Sequence, residues 1–155
     1  MHRLLVSALL CLLAINASAA DSKEEILIRA ESATLNQVTG VGLYEGKAEL
    51  RQGPRRLTAD RIRIQLQDGA PSIIEATGDL VTLIETDILE ARGKRLIYNV
   101  ATQRIQIFEN AYVDHQGRVF EGAELEYDLQ TKQVDARGGE NGRVKLVIPA
   151  EENVE

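Results

Sequence analysis

Tryptophan is absent from this 155-residue sequence, cysteine occurs once and proline three times, and the aromatics are four tyrosines and two phenylalanines. The lone cysteine, Cys11, sits inside an N-terminal apolar run. The rest of the chain therefore has no disulfide staple, no thiol nucleophile and no thiolate metal site, and its stability must come from packing. Downstream of residue 20 the serines are Ser22, Ser32 and Ser72 and the only histidine is His115, none of them in a nucleophile-elbow pattern. Gly138, Gly139 and Gly142 lack the Lys-Ser/Thr of a phosphate loop and read as a turn. The formal charge of −6 is a poor balance for covering nucleic acid phosphates. A local basic stretch, Arg51, Arg55, Arg56, Arg61 and Arg63, remains suited to a small anionic partner.

What the N-terminus does contain is a leader. His2-Arg3 precede the apolar run Leu4 to Ile15, and Asn16-Ala17-Ser18-Ala19 follow it. The run is shorter than the roughly 20 residues of a spanning helix, and Ala17 and Ala19 suit signal peptidase. Leu10 stands before Cys11 where a lipoprotein needs a small residue. A cleaved signal peptide over 1–19, one domain over 20–149 and an acidic tail over 150–155 are expected.

The domain alternates with period two. Ile26 and Ile28, Ala48 and Leu50, Ile62, Ile64 and Leu66, then Leu96, Tyr98 and Val100 carry the apolar face, and the pattern continues through Ile105 and Ile107 to Leu125, Tyr127 and Leu129 and to Val144, Leu146 and Ile148. Arg61, Arg63, Gln65 and Gln67 interleave with the third set, so one face is apolar and the other wet, which favours an antiparallel all-β fold. Turn chemistry falls at Gln52-Gly53-Pro54, Gln67 to Pro71, Asn99 to Gln103, His115-Gln116-Gly117 and Gly138 to Gly142. A degenerate repeat of roughly 30 residues relates Leu35, Ile64, Tyr98 and Tyr127. Corners precede its strands at Leu57 to Asp60, Leu89 to Lys94 and Phe120 to Ala123. A parallel solenoid, a sandwich and a jellyroll all fit such stacking, and each leaves strand edges at its ends for pairing with another chain.

Carboxylates recur at i and i+2 on the strands: Glu85 with Asp87, Glu124 with Glu126, and Glu126 with Asp128. Such pairs share a face and fit acid–base or metal chemistry, but in an alternating strand they are first of all the solvated side. The interior face is rich in Ile, Leu and Val, which suits flexible acyl chains and an ordinary core alike.

Several blocks in order carry a resemblance. They are Ile26 to Ala33, Tyr44 to Gly53, Leu57-Thr58-Ala59-Asp60-Arg61-Ile62, Ala76-Thr77-Gly78-Asp79-Leu80-Val81, Leu96-Ile97-Tyr98 and Val119 to Tyr127. Their order and spacing behind a signal peptide resemble the OstA-like superfamily of periplasmic lipopolysaccharide-transport bridge proteins. The resemblance implies an elongated, slightly twisted, open β-jellyroll of stacked antiparallel strands that holds lipopolysaccharide acyl chains and performs no chemistry. It implies no cofactor and no metal. Implied partners are a periplasmic jellyroll subunit of an inner-membrane ATP-driven export complex, the jellyroll domain of an outer-membrane translocon, and further copies of the chain joined head to tail. Lipid-contacting positions carry over onto Ile26, Ile28, Gln37, Leu83, Tyr98 and Val100. Arg55, Arg56, Arg61 and Arg63 are candidates for the anionic head group. Gln37 departs from the apolar residue the family can have there, and Glu109-Asn110-Ala111 departs from its Gly-Asn preference. The rival readings are an envelope adapter that binds no lipid, a membrane-tethered jellyroll of the same machinery, and a solenoid hydrolase using Glu124 and Glu126.

Overall fold

The computed structural model describes residues 24–140 and 142–150. The expected leader over 1–19 and most of the acidic tail lie outside them. Ten strands follow in order: β1 (Ile26–Arg29), β2 (Ser32–Asn36), β3 (Val41–Gln52), β4 (Arg55–Gln67), β5 (Ala70–Glu85), β6 (Leu89–Asn99), β7 (Arg104–His115), β8 (Arg118–Asp128), β9 (Val134–Arg137) and β10 (Lys145–Val147). All pair antiparallel in one sheet, ordered β1-β3-β4-β5-β6-β7-β8-β10, with β2 also on β3 and β9 also on β8. That pairing excludes the parallel solenoid.

Each long strand is interrupted near its middle. The register shifts between Glu45 and Ala48, Thr58 and Arg61, Thr77 and Val81, Arg92 and Arg95, and Phe108 and Ala111. These bulges lie side by side, so the sheet bends at one level and folds into two leaves with the apolar face inside, as in a jellyroll. The first leaf holds β2, β9, the N-terminal halves of β3, β5 and β7 and the C-terminal halves of β4, β6 and β8; the second holds β1, β10 and the other halves. The expected corners prove to be bends inside β4, β6 and β8. In β3 and β7 the counterparts of these bends, Gly46-Lys47 and Glu109-Asn110, turn through positive φ. Glu109, where the related family prefers glycine, sits at φ 61°, a region an L side chain enters only at some cost.

Cross-strand register arranges the interior in rungs. On the first leaf Tyr44, Ile62, Ala76, Leu96, Ile107 and Leu125 form one, and Leu35, Gly42, Ile64, Ile74, Tyr98, Ile105, Tyr127 and Val134 form the next toward the strand ends. The 30-residue repeat is this second rung sampled at every other strand. On the second leaf the matching rung is Ile28, Leu50, Leu57, Leu83, Ala91, Val113, Phe120 and Leu146. Each rung carries one small residue among larger ones, Ala76, Gly42 and Ala91 in turn. Gly93 marks a close approach beside the bend, because a Cβ there would lie 2.6 Å from Ile107 Cγ2 and 2.9 Å from the Phe108 carbonyl oxygen.

Turns at the strand ends follow their sequence chemistry. Asp68-Gly69 and Gln116-Gly117 adopt paired positive φ, the hairpin geometry matched to strand twist. The Asn36 side chain accepts from the Val38 and Thr39 amides, and Asp128 accepts from those of Gln130 and Thr131. These amide bonds, led by that of Thr131, hold the Asp128 carboxyl below its ordinary range. One expectation needs correction: Ala70 and Pro71 open β5 rather than extend the turn. The side chains of β2 are exposed because it is a sheet edge whose only apolar residues are Ala33 and Leu35.

Candidate functional site

The leaves join along the bulges on one side and part along the strand ends on the other, leaving a seam. A cavity of about 480 Å³ opens there toward the β1 end, lined by Ile26, Ile74, Tyr98 and Val100, with Arg55 and Gln52 at its rim. It narrows to a void of about 30 Å³ walled by Leu50, Leu57, Leu83, Leu96, Ile105 and Leu129. The void is mainly aliphatic, and the apolar wall of the cavity is flanked by polar side chains that also include Glu24 and Gln103.

The sequence-predicted positions divide. Ile26, Leu83, Tyr98 and Val100 surround the cavity and its inner extension, drawn from β1, β5, β6 and the turn after β6. Ile28 is half-buried against the same core, one rung deeper than Ile26. Gln37 lies exposed in the β2–β3 turn, away from this wall. The four arginines divide as well. Arg55 lies at the seam, where its Nε donates to Glu85 Oε2 at 3.0 Å. Arg56, Arg61 and Arg63 are exposed on the outer face, Arg56 paired with Glu49 at 2.8 Å and Arg61 with Glu45 at 2.5 Å.

Of the paired carboxylates, Glu124, Glu126 and Asp128 belong to that outer face, whereas Glu85 lies at the seam. Glu126 accepts from Arg104 and Gln106, Glu124 meets Arg137, and Asp128 meets Arg104. Such exposed pairs each contribute about 0–1 kcal/mol. The hydrogen bond from Arg51, with Arg56 beside it, lowers the Glu49 carboxyl in the same way. Among the described residues no three His, Cys, Asp or Glu side chains are grouped to hold a metal ion.

Sequence reading missed the polar rim of the seam. Gln52, Arg55, Glu85, Leu89 and His115 lie in register at the last inward position of the second leaf. Parity was the available signal: His115 is in phase with Ala111 and Val113, Glu85 with Val81 and Leu83, and Arg55 with Leu57 and Ala59. His115, expected in a turn, ends β7, and its Nδ1 lies 3.0 Å from the Tyr127 hydroxyl of the first leaf. The rings are 5.7 Å apart. Burial pushes both Tyr127 and Tyr98 above the ordinary tyrosine range; Glu85 and Asp128 add to the rise at Tyr127, and Arg55 opposes it at both.

Desolvation lowers the His115 pKa from its ordinary 6.5, helped by Lys132 and Arg118 and opposed by Asp114 and Glu85. In the neutral imidazole the tautomer sets which of Nδ1 and the Tyr127 hydroxyl donates, and acidification adds a second proton to the ring. The folded protein binds this proton less readily than the unfolded chain, so stability is lost as pH falls from about 6.5 through the folded pKa. Between pH 7 and pH 5 the wild type is expected to lose more melting temperature than His115→Gln, in which that titration is absent; parallel thermal scans of the two proteins check it.

Comparisons with known proteins agree on one relationship. The model of the family described as LptA/(LptD N-terminal domain) LPS transport protein matches residues 27–133. The lipopolysaccharide export system protein LptH of Pseudomonas aeruginosa is 28% identical over 122 residues, 75% of this chain and 70% of that relative. The crystal structure of LptH, described as the LptA-homologous periplasmic component of the lipopolysaccharide transport device of that organism, superposes with a TM-score of 0.76 at 25% identity, covering 84% of this chain and 99% of the other.

Proposed function

The chain belongs to the LptA/(LptD N-terminal domain) family of LPS transport proteins, and from that premise we propose that its seam cavity seats the acyl chains of lipopolysaccharide on their way across the periplasm. It is a non-catalytic periplasmic component of lipopolysaccharide transport, a bridge rather than an enzyme. The observation that carries the groove reading is the apolar-walled cavity of about 480 Å³ at the parted strand ends, within the range of roughly 300–1,000 Å³ usual for ligand sites.

The chemistry suits the cargo. Each methylene taken out of water contributes about 0.8 kcal/mol, and a wall of Ile, Leu and Val makes no directional demand on a sliding chain. Ile26, Ile28, Leu83, Tyr98 and Val100 supply that wall, while Gln37 lies outside it and is assigned no contact. The head group stays at the seam, where Arg55 is the cation in reach of both cavity and solvent. Arg56 and Arg61 are engaged on the outer face. A wall without a strong anchor keeps binding moderate, so direction has to come from an energised partner.

The ends of the fold favour a chain of copies. Leu35 and Leu146 occupy inward rungs yet are 51% exposed each, because each stands on an edge strand with no further layer beyond it. A second jellyroll placed edge to edge continues both the sheet and the apolar interior. The same edges serve for docking at an inner-membrane jellyroll subunit and at the jellyroll domain of the outer-membrane translocon.

A photo-crosslinking residue at Leu83, with controls at Arg61 and Glu126, tests the groove in cells of a Gram-negative host. The expected result is a lipopolysaccharide adduct at Leu83 and little at either outward control. Protein crosslinks at the edge strands with no lipid adduct at Leu83 would replace this reading with that of an envelope adapter.

A further inference from the structure

The seam is open over β1 and β3–β6 and shut over β7 and β8. The cavity ends against Ile105 and Leu129, and beyond them His115 of the second leaf meets Tyr127 of the first. This is the sole side-chain hydrogen bond joining the two leaves at the seam among the described residues. Tyr127 is 1% exposed, so its hydroxyl has little access to water and needs a protein partner. The half-buried His115 is fixed by ladder pairing with Leu89 and Arg118.

Register places this contact across the line of travel. Leu83 and Phe120 stand on the same inward rung of the second leaf, joined through Ala91 and Val113. Leu83 borders the inner extension of the cavity, whereas Phe120 lies on β8, beyond its end. An acyl chain moving along that rung from Leu83 to Phe120 passes under the point where His115 and Tyr127 hold the leaves together.

Building on the groove reading above, we propose that His115 and Tyr127 form a clasp that closes the C-terminal half of the seam and sets how readily an acyl chain passes from the β1 end to the β10 end. The clasp makes the groove a two-compartment path. Lipid seats freely beside Leu83 and advances to Phe120 only when the leaves part at this contact. His115 and Tyr127 thus act as positioning residues, controlling passage without anchoring the lipid.

The test uses the purified chain and purified lipopolysaccharide, with a photo-crosslinking residue at Leu83 or at Phe120, in the wild-type, Tyr127→Phe and His115→Ala backgrounds. Opening the clasp raises the ratio of Phe120 to Leu83 adduct roughly fivefold, the scale of one net hydrogen bond, while the Leu83 adduct holds constant. His115→Ala alters a half-buried residue from the opposite leaf and carries the test if Tyr127→Phe fails to fold. Because both variants break one contact, the double variant gives no more than either single one. An unchanged ratio in a folded variant overturns the clasp and leaves the groove standing, as does a double variant whose effect is the sum of the singles. Absence of adduct at both positions in every background overturns the groove reading and the clasp with it.

Discussion

Ile107→Ala is expected to lower unfolding stability by about 3 kcal/mol, within the range of roughly 2–5 kcal/mol for truncating a buried Ile or Leu. Ile107 is fully buried, flanked in register by Leu96 and Leu125, and its Cγ2 fills the space left by the absent side chain of Gly93. Neighbours on both strands are held by ladder hydrogen bonds, so the site cannot collapse onto the hole. Leu80→Ala is the control. Leu80 is of similar size but 59% exposed beside the bend of β5, and its truncation changes stability by no more than about 0.5 kcal/mol. Urea denaturation of the three proteins distinguishes them, with the midpoint of Ile107→Ala lowered at unchanged slope. A shift as small as that of Leu80→Ala would mean that the leaves slide to refill the gap, and that the interior is softer than its burial indicates.

The burial of Ile107 was visible from alternation alone, whereas the exposure of Leu80, which stands in the apolar run Leu80 to Ile84, was not. Ile62, Ile64, Leu96, Ile105, Ile107, Leu125 and Tyr127 all stand at inward parity in the sequence and all are buried. Strand type and the wet face were legible for the same reason, since a period of two leaves a side chain only two sides to choose from. The fold-over was harder to see. The inward phase changes by one residue inside a strand, as between Ala59 and Ile62 in β4 and between Ala76 and Val81 in β5, and only the neighbouring strand shows where the change falls. Parity counted from the bends would have placed Arg55 and Glu85 inside the seam, and His115 keeps the phase of Ile105 and Ile107 along the whole of β7. Counted without the bends, Arg55 looked like one more member of a basic stretch that the structure places mostly on the opposite face. The His115–Tyr127 contact was beyond reach for a related reason: the two residues are separated by the β7–β8 turn and belong to different leaves, so their approach depends on the angle between leaves, a property of the whole sheet. Gln37 shows the converse limit. Family resemblance carried a role onto its position, yet the β2–β3 turn in this chain holds that side chain in solvent.

On the proposal that copies join edge to edge, charge placed on the β10 edge is expected to abolish that self-association. Exposed large apolar residues gather at the two edges of the sheet: Leu27, Leu35 and Val38 at one, and Val144, Leu146, Val147 and Ile148 at the other. An edge strand also presents unpaired backbone donors and acceptors, so each end offers both a ladder and an apolar surface to a partner. In the triple variant Val144→Asp, Leu146→Asp, Ile148→Asp, about 3 kcal/mol of apolar burial is lost at the junction, at roughly 1 kcal/mol per half-exposed side chain, and dissociation strengthens on the order of a hundredfold. Sedimentation velocity over a concentration series reads the change directly. Folding should be spared, because these side chains already face solvent in the isolated domain and β10 makes only three paired positions on β8. A melting temperature close to wild type with loss of assembly places the junction at this edge. The same variant then separates two parts of lipid carriage that the fold combines. Leu83 on β5 lies four strands away from β10, counted along the sheet as β6, β7, β8 and β10, and its lipid adduct should persist in the monomer. Export of lipopolysaccharide to the cell surface should fail, since a groove that holds a chain but meets no continuation at its end is a container and not a bridge.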